Sequence, residues 1–215
     1  MTLTGEGKMR PILLCLLGII LAVGADAVGI NPHDIPDFSS KFLIEGNTKS
    51  FLELMKTHFA NSLDYLYSGK YYESQKIEYP GMAKLLVDES DRQWEEGMNV
   101  LKKYLHLGGT TEGNNFINSM DFTKSIESRD AAEVEYKNSL KTVMGKSQAL
   151  IKEITKLHVS ANKVPSKNGD VSLSHFLEEK AEKESDVARK MAGLYIMLRK
   201  MVSNGIAVGI FDQSL

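Results

Sequence analysis

Cysteine is all but missing from this chain of 215 residues: the only one is Cys15. It sits in an apolar run near the N-terminus, so everything downstream lacks a thiol and can form no disulfide. Stability must then come from packing or assembly rather than covalent staples. Proline is scarce (five residues) and aromatics make up only 8%; with Lys, Glu, Leu, Ala and Met abundant, that balance leans helical. There is no surplus of either charge, with 26 basic against 28 acidic side chains. A nucleic-acid binder would carry a basic stripe or tail, and none is present. No Asn-x-Ser/Thr sequon, internal repeat or low-complexity run occurs. The 42% hydrophobic content suffices for one substantial core, and one domain is the expectation.

No apolar run is long enough for a transmembrane helix. The longest, Pro11 to Val23, has about 13 residues where a span needs about 20. Lys8 and Arg10 precede it, and Ala25-Asp26-Ala27 follows as a small-x-small cleavage site. Residues 1–27 therefore read as a signal peptide, cut after Ala27 or, nearly as well, after Ala25, and the protein as secretory. Residues 28–48, with Pro32, Pro36 and a serine pair, read as an extended N-terminal arm. Residues 49–215 form the expected domain.

What is present in quantity is helical periodicity. Lys49 to Glu73 forms a first helix, with Phe51, Leu52, Met55, Phe59, Ser62, Leu66 and Gly69 on one stripe and His58 and Tyr65 on or beside it. A short connection containing Tyr79-Pro80-Gly81 leads into the central helix, Met82 to Gly109, which Gly108 should stop in a left-handed conformation. The inward face of this helix collects Met82, Leu85, Leu86, Glu89, Gln93, Glu96, Val100 and Tyr104. Acidic and amide groups in the middle of an apolar stripe cost several kcal/mol unless paired, protonated or metal-bound. The flanking face carries Asp88, Asp91 and Glu95, interrupted by Arg92.

Thr110 to Arg129 is polar and without period, a loop of about 20 residues that needs a reason. A crossover along the length of a bundle supplies one, because the next helix then starts at the far end. The third helix, Asp130 to His158, places Leu140, Val143, Met144, Ser147, Ile151, Ile154 and Leu157 inward. The fourth runs from Asp170, an N-cap, to Val202, with Leu173, Phe176, Leu177, Ala181, Ala188, Met191, Ala192 and Tyr195 facing in. A short apolar tail, Gly205 to Leu215, must bury itself against something. The architecture is all-α: a four-helix up-down bundle with one long crossover and a short fifth helix.

On the segments HFANSLDYLYSGKYY, DESDRQWEEGMNVLKKYLHLGG, HFLEEKAEKES, LRKMV and GIAVGIFDQSL, in that order and spacing, the chain resembles the ferritin family, in particular secreted insect-type subunits. It departs from many of these in lacking an N-terminal disulfide. The resemblance implies a ferritin-like fold and a shell of 24 subunits storing ferric mineral. The family's catalytic centre holds two irons with a Glu from the first helix, a Glu-x-x-His on the second, a Glu from the third and a Gln from the fourth. In this sequence those positions fall on His58, on Gln93 and Glu96, on Met144 and on Ser185, with the neighbouring tyrosine kept as Tyr65.

Glu96 is the one carboxylate left in that set. One carboxylate cannot balance two irons, so the ferroxidase centre reads as broken, with His58, Gln93 and Glu96 forming a hydrogen-bonded polar plug. Asp88, Asp91 and Glu95 resemble the cavity patch on which light-chain-type subunits nucleate mineral, and an ordinary solvated face is the alternative. His175 and Glu178 fall where the family lines its iron-entry channels. The implied function is a non-catalytic, light-chain-like subunit that co-assembles with a catalytic heavy-type subunit and with copies of itself, iron being the cargo. The alternatives are a divergent ferroxidase using His58, Glu96 and Glu89 or Glu184, and a monomeric, metal-free helical protein enclosing a small ligand.

Overall fold

The computed structural model describes residues 46–109, 132–162, 171–205 and 207–215. The expected signal peptide, most of the expected N-terminal arm, the expected crossover and Asp170, expected as an N-cap, lie outside the described residues. Among the described residues, five helices follow in order: α1 Thr48–Glu73, α2 Pro80–His106, α3 Ala132–Asn162, α4 Val171–Ser203 and α5 Val208–Asp212. The four long helices match the sequence expectation to within a few residues at each described end. Among the described residues, no helix is long and apolar enough to cross a membrane.

α1 packs along α2, and α3 along α4. Contacts between particular residues fix the directions. Late α1 meets early α3 where the Tyr72 and Ser139 hydroxyls lie 2.9 Å apart, and early α1 meets late α3 where Ser160 donates to Asn47. Late α2 meets early α4 where Lys103 donates to Ser172, and the two helices meet again at mid-length where Arg92 donates to Glu184. The order is thus up, down, down, up, and α3 runs parallel to α2, as a connection along the bundle's length requires.

α2 stops as expected. Gly108 has φ +82°, the Gly109 N–H bonds the Tyr104 carbonyl and the Gly108 N–H bonds that of Leu105, both at 3.0 Å, which is the Schellman arrangement. The start of α2 is less ordinary. Pro80 occupies its first turn, and Tyr79 offers no side-chain cap. The cap comes instead from α5: the Asp212 carboxylate accepts the N–H groups of Gly81 (2.8 Å) and Met82 (2.7 Å), and the Tyr136 hydroxyl (2.8 Å). A carboxylate at a helix N-terminus satisfies orphan donors and complements the helix dipole. The tail therefore docks on its own chain, with Phe211 fully covered against Tyr136 while Ile210 stays exposed.

The core falls into two apolar clusters at opposite ends. One gathers Phe51, Met55, Phe59, Val100, Tyr104, Leu150, Ile154, Leu173 and Leu177; the other gathers Tyr65, Tyr72, Leu86, Tyr136, Leu140, Val143, Val187, Met191 and Phe211. Every inward residue expected on α2 is buried. Leu66 of the α1 stripe is exposed instead, and Leu54 takes a buried place. On α4 the buried stripe is Leu173, Leu177, Lys180, Glu184, Val187, Met191 and Leu198. This corrects the sequence reading, which passed over the two charged members. Phe176, Ala181, Ala188, Ala192 and Tyr195 lie half-buried beside it.

Candidate functional site: a polar layer across the bundle

Between the two apolar clusters, all four long helices contribute buried polar side chains. α1 supplies His58, Asn61 and Ser62; α2 supplies Glu89, Ser90, Gln93 and Glu96; α3 supplies Ser147; α4 supplies Lys180 and Glu184. Each sits at a core-facing step of its helix, so the layer follows from periodicity with polar residues in apolar positions.

Two charged groupings organise it. In the first, Glu184, 1% exposed, receives Arg92 as a fork, Nη1 to Oε1 at 2.7 Å and Nη2 to Oε2 at 3.3 Å. The Arg92 Nε donates to Glu89 at 2.7 Å, and the Gln93 amide donates to Glu184 at 2.9 Å. Gln93 in turn shares a 2.7 Å hydrogen bond between its Oε1 and His58 Nδ1, which makes that nitrogen the donor. Burial alone would lower the Arg92 pKa, but the Glu184 and Glu89 carboxylates outweigh it and hold the guanidinium firmly charged. Burial pushes the His58 pKa below its usual value despite the Gln93 bond and the nearby carboxylates, so its ring is kept neutral.

In the second grouping, Glu96 meets Lys180 at 2.5 Å and Lys183 at 3.2 Å. Burial raises the Glu96 pKa, but the two ammonium groups more than offset this and hold it below the usual carboxylate range. Charge is thus matched by charge on the α2–α4 side. The α1–α3 side is different: His58 Nε2, Asn61 Nδ2, the Tyr65 hydroxyl and the Ser147 hydroxyl are buried without a protein hydrogen-bond partner among the described residues. Burial also raises the Tyr65 pKa, so the phenol stays protonated.

Some expected positions meet here and others do not. His58 and Gln93 are bonded to each other, while Glu96 belongs to the separate lysine grouping. Ser185 is not in the layer: its hydroxyl donates back to the Ala181 carbonyl at 2.8 Å, and Glu184 takes the inward position. Met144 is half-buried and packs against the cluster around Tyr65, while Ser147, one turn on, is the α3 residue that reaches the layer. Arg92, expected among the outer carboxylates, turns inward. Asp88, Asp91 and Glu95 are all exposed, with Asp88 3.9 Å from Lys84. His175 and Glu178 meet at 3.4 Å, and the other oxygen of Glu178 lies 3.2 Å from His158. Among the described residues, no three His, Cys, Asp or Glu side chains are grouped so as to hold one metal ion.

Arg92, Lys180 and Asp212 escaped the sequence reading. A signal for Lys180 existed, since it falls on the 173–177–180–184–187 rhythm of α4. Arg92 had no such signal, because its Cα lies beside the buried face and only its long side chain reaches in.

No family model matches the chain. It is 25% identical over 205 residues to the ferritin light chain of Drosophila melanogaster, covering 94% of this chain and 88% of that one. It is 24% identical over 210 residues to the ferritin heavy chain of Papilio xuthus, covering 93% of each, and 26% identical over 221 residues to the ferritin heavy chain of Trichoplusia ni, covering 96% of this chain and 98% of that one. The fold matches the crystal structure of Trichoplusia ni secreted ferritin with a TM-score of 0.68 at 22% identity, over 88% of this chain and 97% of that one. With the described helices sharing that fold and similarity running along nearly its whole length, the chain is similar throughout to insect ferritin subunits.

Proposed function

We propose that this chain is a non-catalytic, light-chain-like subunit of a secreted 24-subunit iron-storage shell, assembled with a heavy-type subunit and with copies of itself. Iron storage accompanies the family; the finer role rests on the polar layer. The observation that carries it is the pair of protein cations among the buried acids. Arg92 is forked onto Glu184 and bonded to Glu89, and Lys180 is set on Glu96. A di-iron centre needs several carboxylates free to bind metal and balance its charge. Here those carboxylates are already balanced by a guanidinium and an ammonium, and the remaining positions hold a neutral histidine, an amide and a serine. These residues do not fit a pair of irons.

What remains for iron is the surface. Asp88, Asp91 and Glu95 share one exposed face of α2, where each carboxylate can bind ferric ion and leave coordination positions open for bridging oxide. In this reading that row nucleates mineral, and His175 and Glu178 lie on the path by which iron enters. The segment before residue 28 directs the chain into the secretory route.

Stopped-flow oxidation of ferrous iron by the purified subunit, sized beforehand, tests the proposal. The expected result is a large shell that oxidises no faster than buffer and mineralises once a heavy-type subunit is added. Fast oxidation that disappears in Glu184→Gln would make the chain a divergent ferroxidase and overturn the reading. A small monomer would overturn the shell.

A further inference from the structure

Between the C-terminal end of α2 and the first half of α4, the surface sinks into a groove of about 480 Å³. Lys102, Lys103, His106, Phe176, Lys180 and Lys183 line it together with one carboxylate, Glu179. Three of the lysines are held in place. Lys180 is only 4% exposed, its ammonium 2.5 Å from Glu96 and 5.0 Å above the Phe176 ring. Lys103 lies 5.8 Å over the same ring and donates to the Ser172 hydroxyl at 2.7 Å. Lys183 spans Glu179 at 2.8 Å and Glu96 at 3.2 Å. Lys102 stands at the rim, exposed.

Among the described residues, these four ammonium groups meet two carboxylates, Glu96 and Glu179, so the described lining keeps a surplus of positive charge. Gathering like charges in a concave, partly desolvated place is unfavourable unless an anion offsets it. Each ammonium carries three donors on a compact charge, and those of Lys103, Lys180 and Lys183 are already partly spent on protein acceptors. The donors left over come from two helices that line one groove.

We infer that this groove is a binding site for a compact inorganic oxyanion of the phosphate class. The oxyanion would sit against Lys102 and Lys103 from α2 and Lys180 and Lys183 from α4, above Phe176. The site lies on the same exposed face of α2 as the acidic row, since residues 88, 91, 95, 99, 102 and 106 follow one another at helical steps. Glu95 and Lys102 are two turns apart, about 10 Å along the axis. An oxyanion held there would border the carboxylates, and cation and anion sites would adjoin on one helix. The groove itself does not depend on what the carboxylates do.

The test is titration of the full, iron-free protein with inorganic phosphate at low ionic strength, followed by ³¹P NMR line width. Saturable binding is expected, displaced by sulfate and weakened by added chloride. Lys102→Glu, an exposed position, should weaken it at least tenfold, and Lys103→Gln should do so with the melting temperature as a check on folding. Asp91→Asn with Glu95→Gln should leave phosphate binding within twofold of wild type. Linear, non-saturable broadening would overturn the inference, as would full affinity in Lys102→Glu and a correctly folded Lys103→Gln. Because no iron is present, failure here is distinct from failure of the nucleation reading, which mineralisation by the Asp91→Asn, Glu95→Gln variant would reveal.

Discussion

Asp212 and Glu184 are both almost wholly withdrawn from water, 2% and 1% exposed, and they are accommodated in opposite ways. Asp212 meets no cation in its hydrogen bonds: two backbone N–H groups at the start of α2 and the Tyr136 phenol satisfy it. Glu184 is met by the Arg92 guanidinium and the Gln93 amide. The first arrangement is helix capping, achieved by fixed dipoles that exist whenever α2 is folded. The second is charge balance in a layer of carboxylates, and it depends on one long side chain reaching in from beside the buried face. A buried acid satisfied by dipoles secures the fold. A buried acid satisfied by a side-chain cation marks a place where another cation could stand.

Removing the cation is the strongest way to break this comparison. Arg92→Ala leaves Glu89 and Glu184 close together with no guanidinium between them, and stripping one partner from a buried pair costs about 3–5 kcal/mol. Denaturant unfolding should show that loss. Excess zinc should return part of it, because an ion that binds only the folded state stabilises it. Asp212→Asn should not respond to zinc. Equal recovery in both variants would erase the distinction between capping and charge balance.

The capping side can be attacked from both partners. Asp212→Ala orphans the Gly81 and Met82 N–H groups and the Tyr136 hydroxyl, at about 1–3 kcal/mol for each group left buried. Gly81→Ala attacks the same contact sterically, since a Cβ there would stand 2.0 Å from the Asp212 carbonyl oxygen. Both variants should release the C-terminal helix to limited proteolysis while α1–α4 stay protected. A tail that stays protected in both would mean that Phe211 packing alone holds it.

Much of this was legible in the sequence, for reasons that differ by element. The α2 face could be read residue by residue because its apolar steps continue on both sides of Glu89, Gln93 and Glu96, and Gly108 marks its end. The α4 stripe was misread because Lys180 and Glu184 look like surface residues, and only their burial against Glu96 and Arg92 makes them core. Family spacing led to Ser185 and Met144, whereas the helices present Glu184, one residue away, and Ser147, about one turn away. Asp212 had no signal at all. Its role is to cap a helix whose first-turn residue Met82 lies 130 residues earlier, and no local pattern encodes such a contact.

The smallest expected effect is in the acid limb of stability, and it separates the members of the polar layer from one another. Burial lowers the His58 pKa from the ordinary 6.5. The folded state therefore binds this proton less readily than the unfolded chain does. That contribution to stability is complete above pH 6.5 and is lost as pH falls below it through the lower folded value. Glu96 is raised by burial but lowered more by Lys180 and Lys183, to below its ordinary 4.5. Its contribution has the same sign but a lower window, complete above pH 4.5 and lost beneath it. Stability against pH should therefore begin to fall in the range of His58 and steepen in that of Glu96. His58→Gln should flatten the upper part alone, and Glu96→Gln the lower part alone, whatever each does to stability at neutral pH. A wild-type limb that starts only below pH 4.5 would mean that His58 takes up its proton freely, and the layer would then be open to water rather than sealed between two apolar clusters.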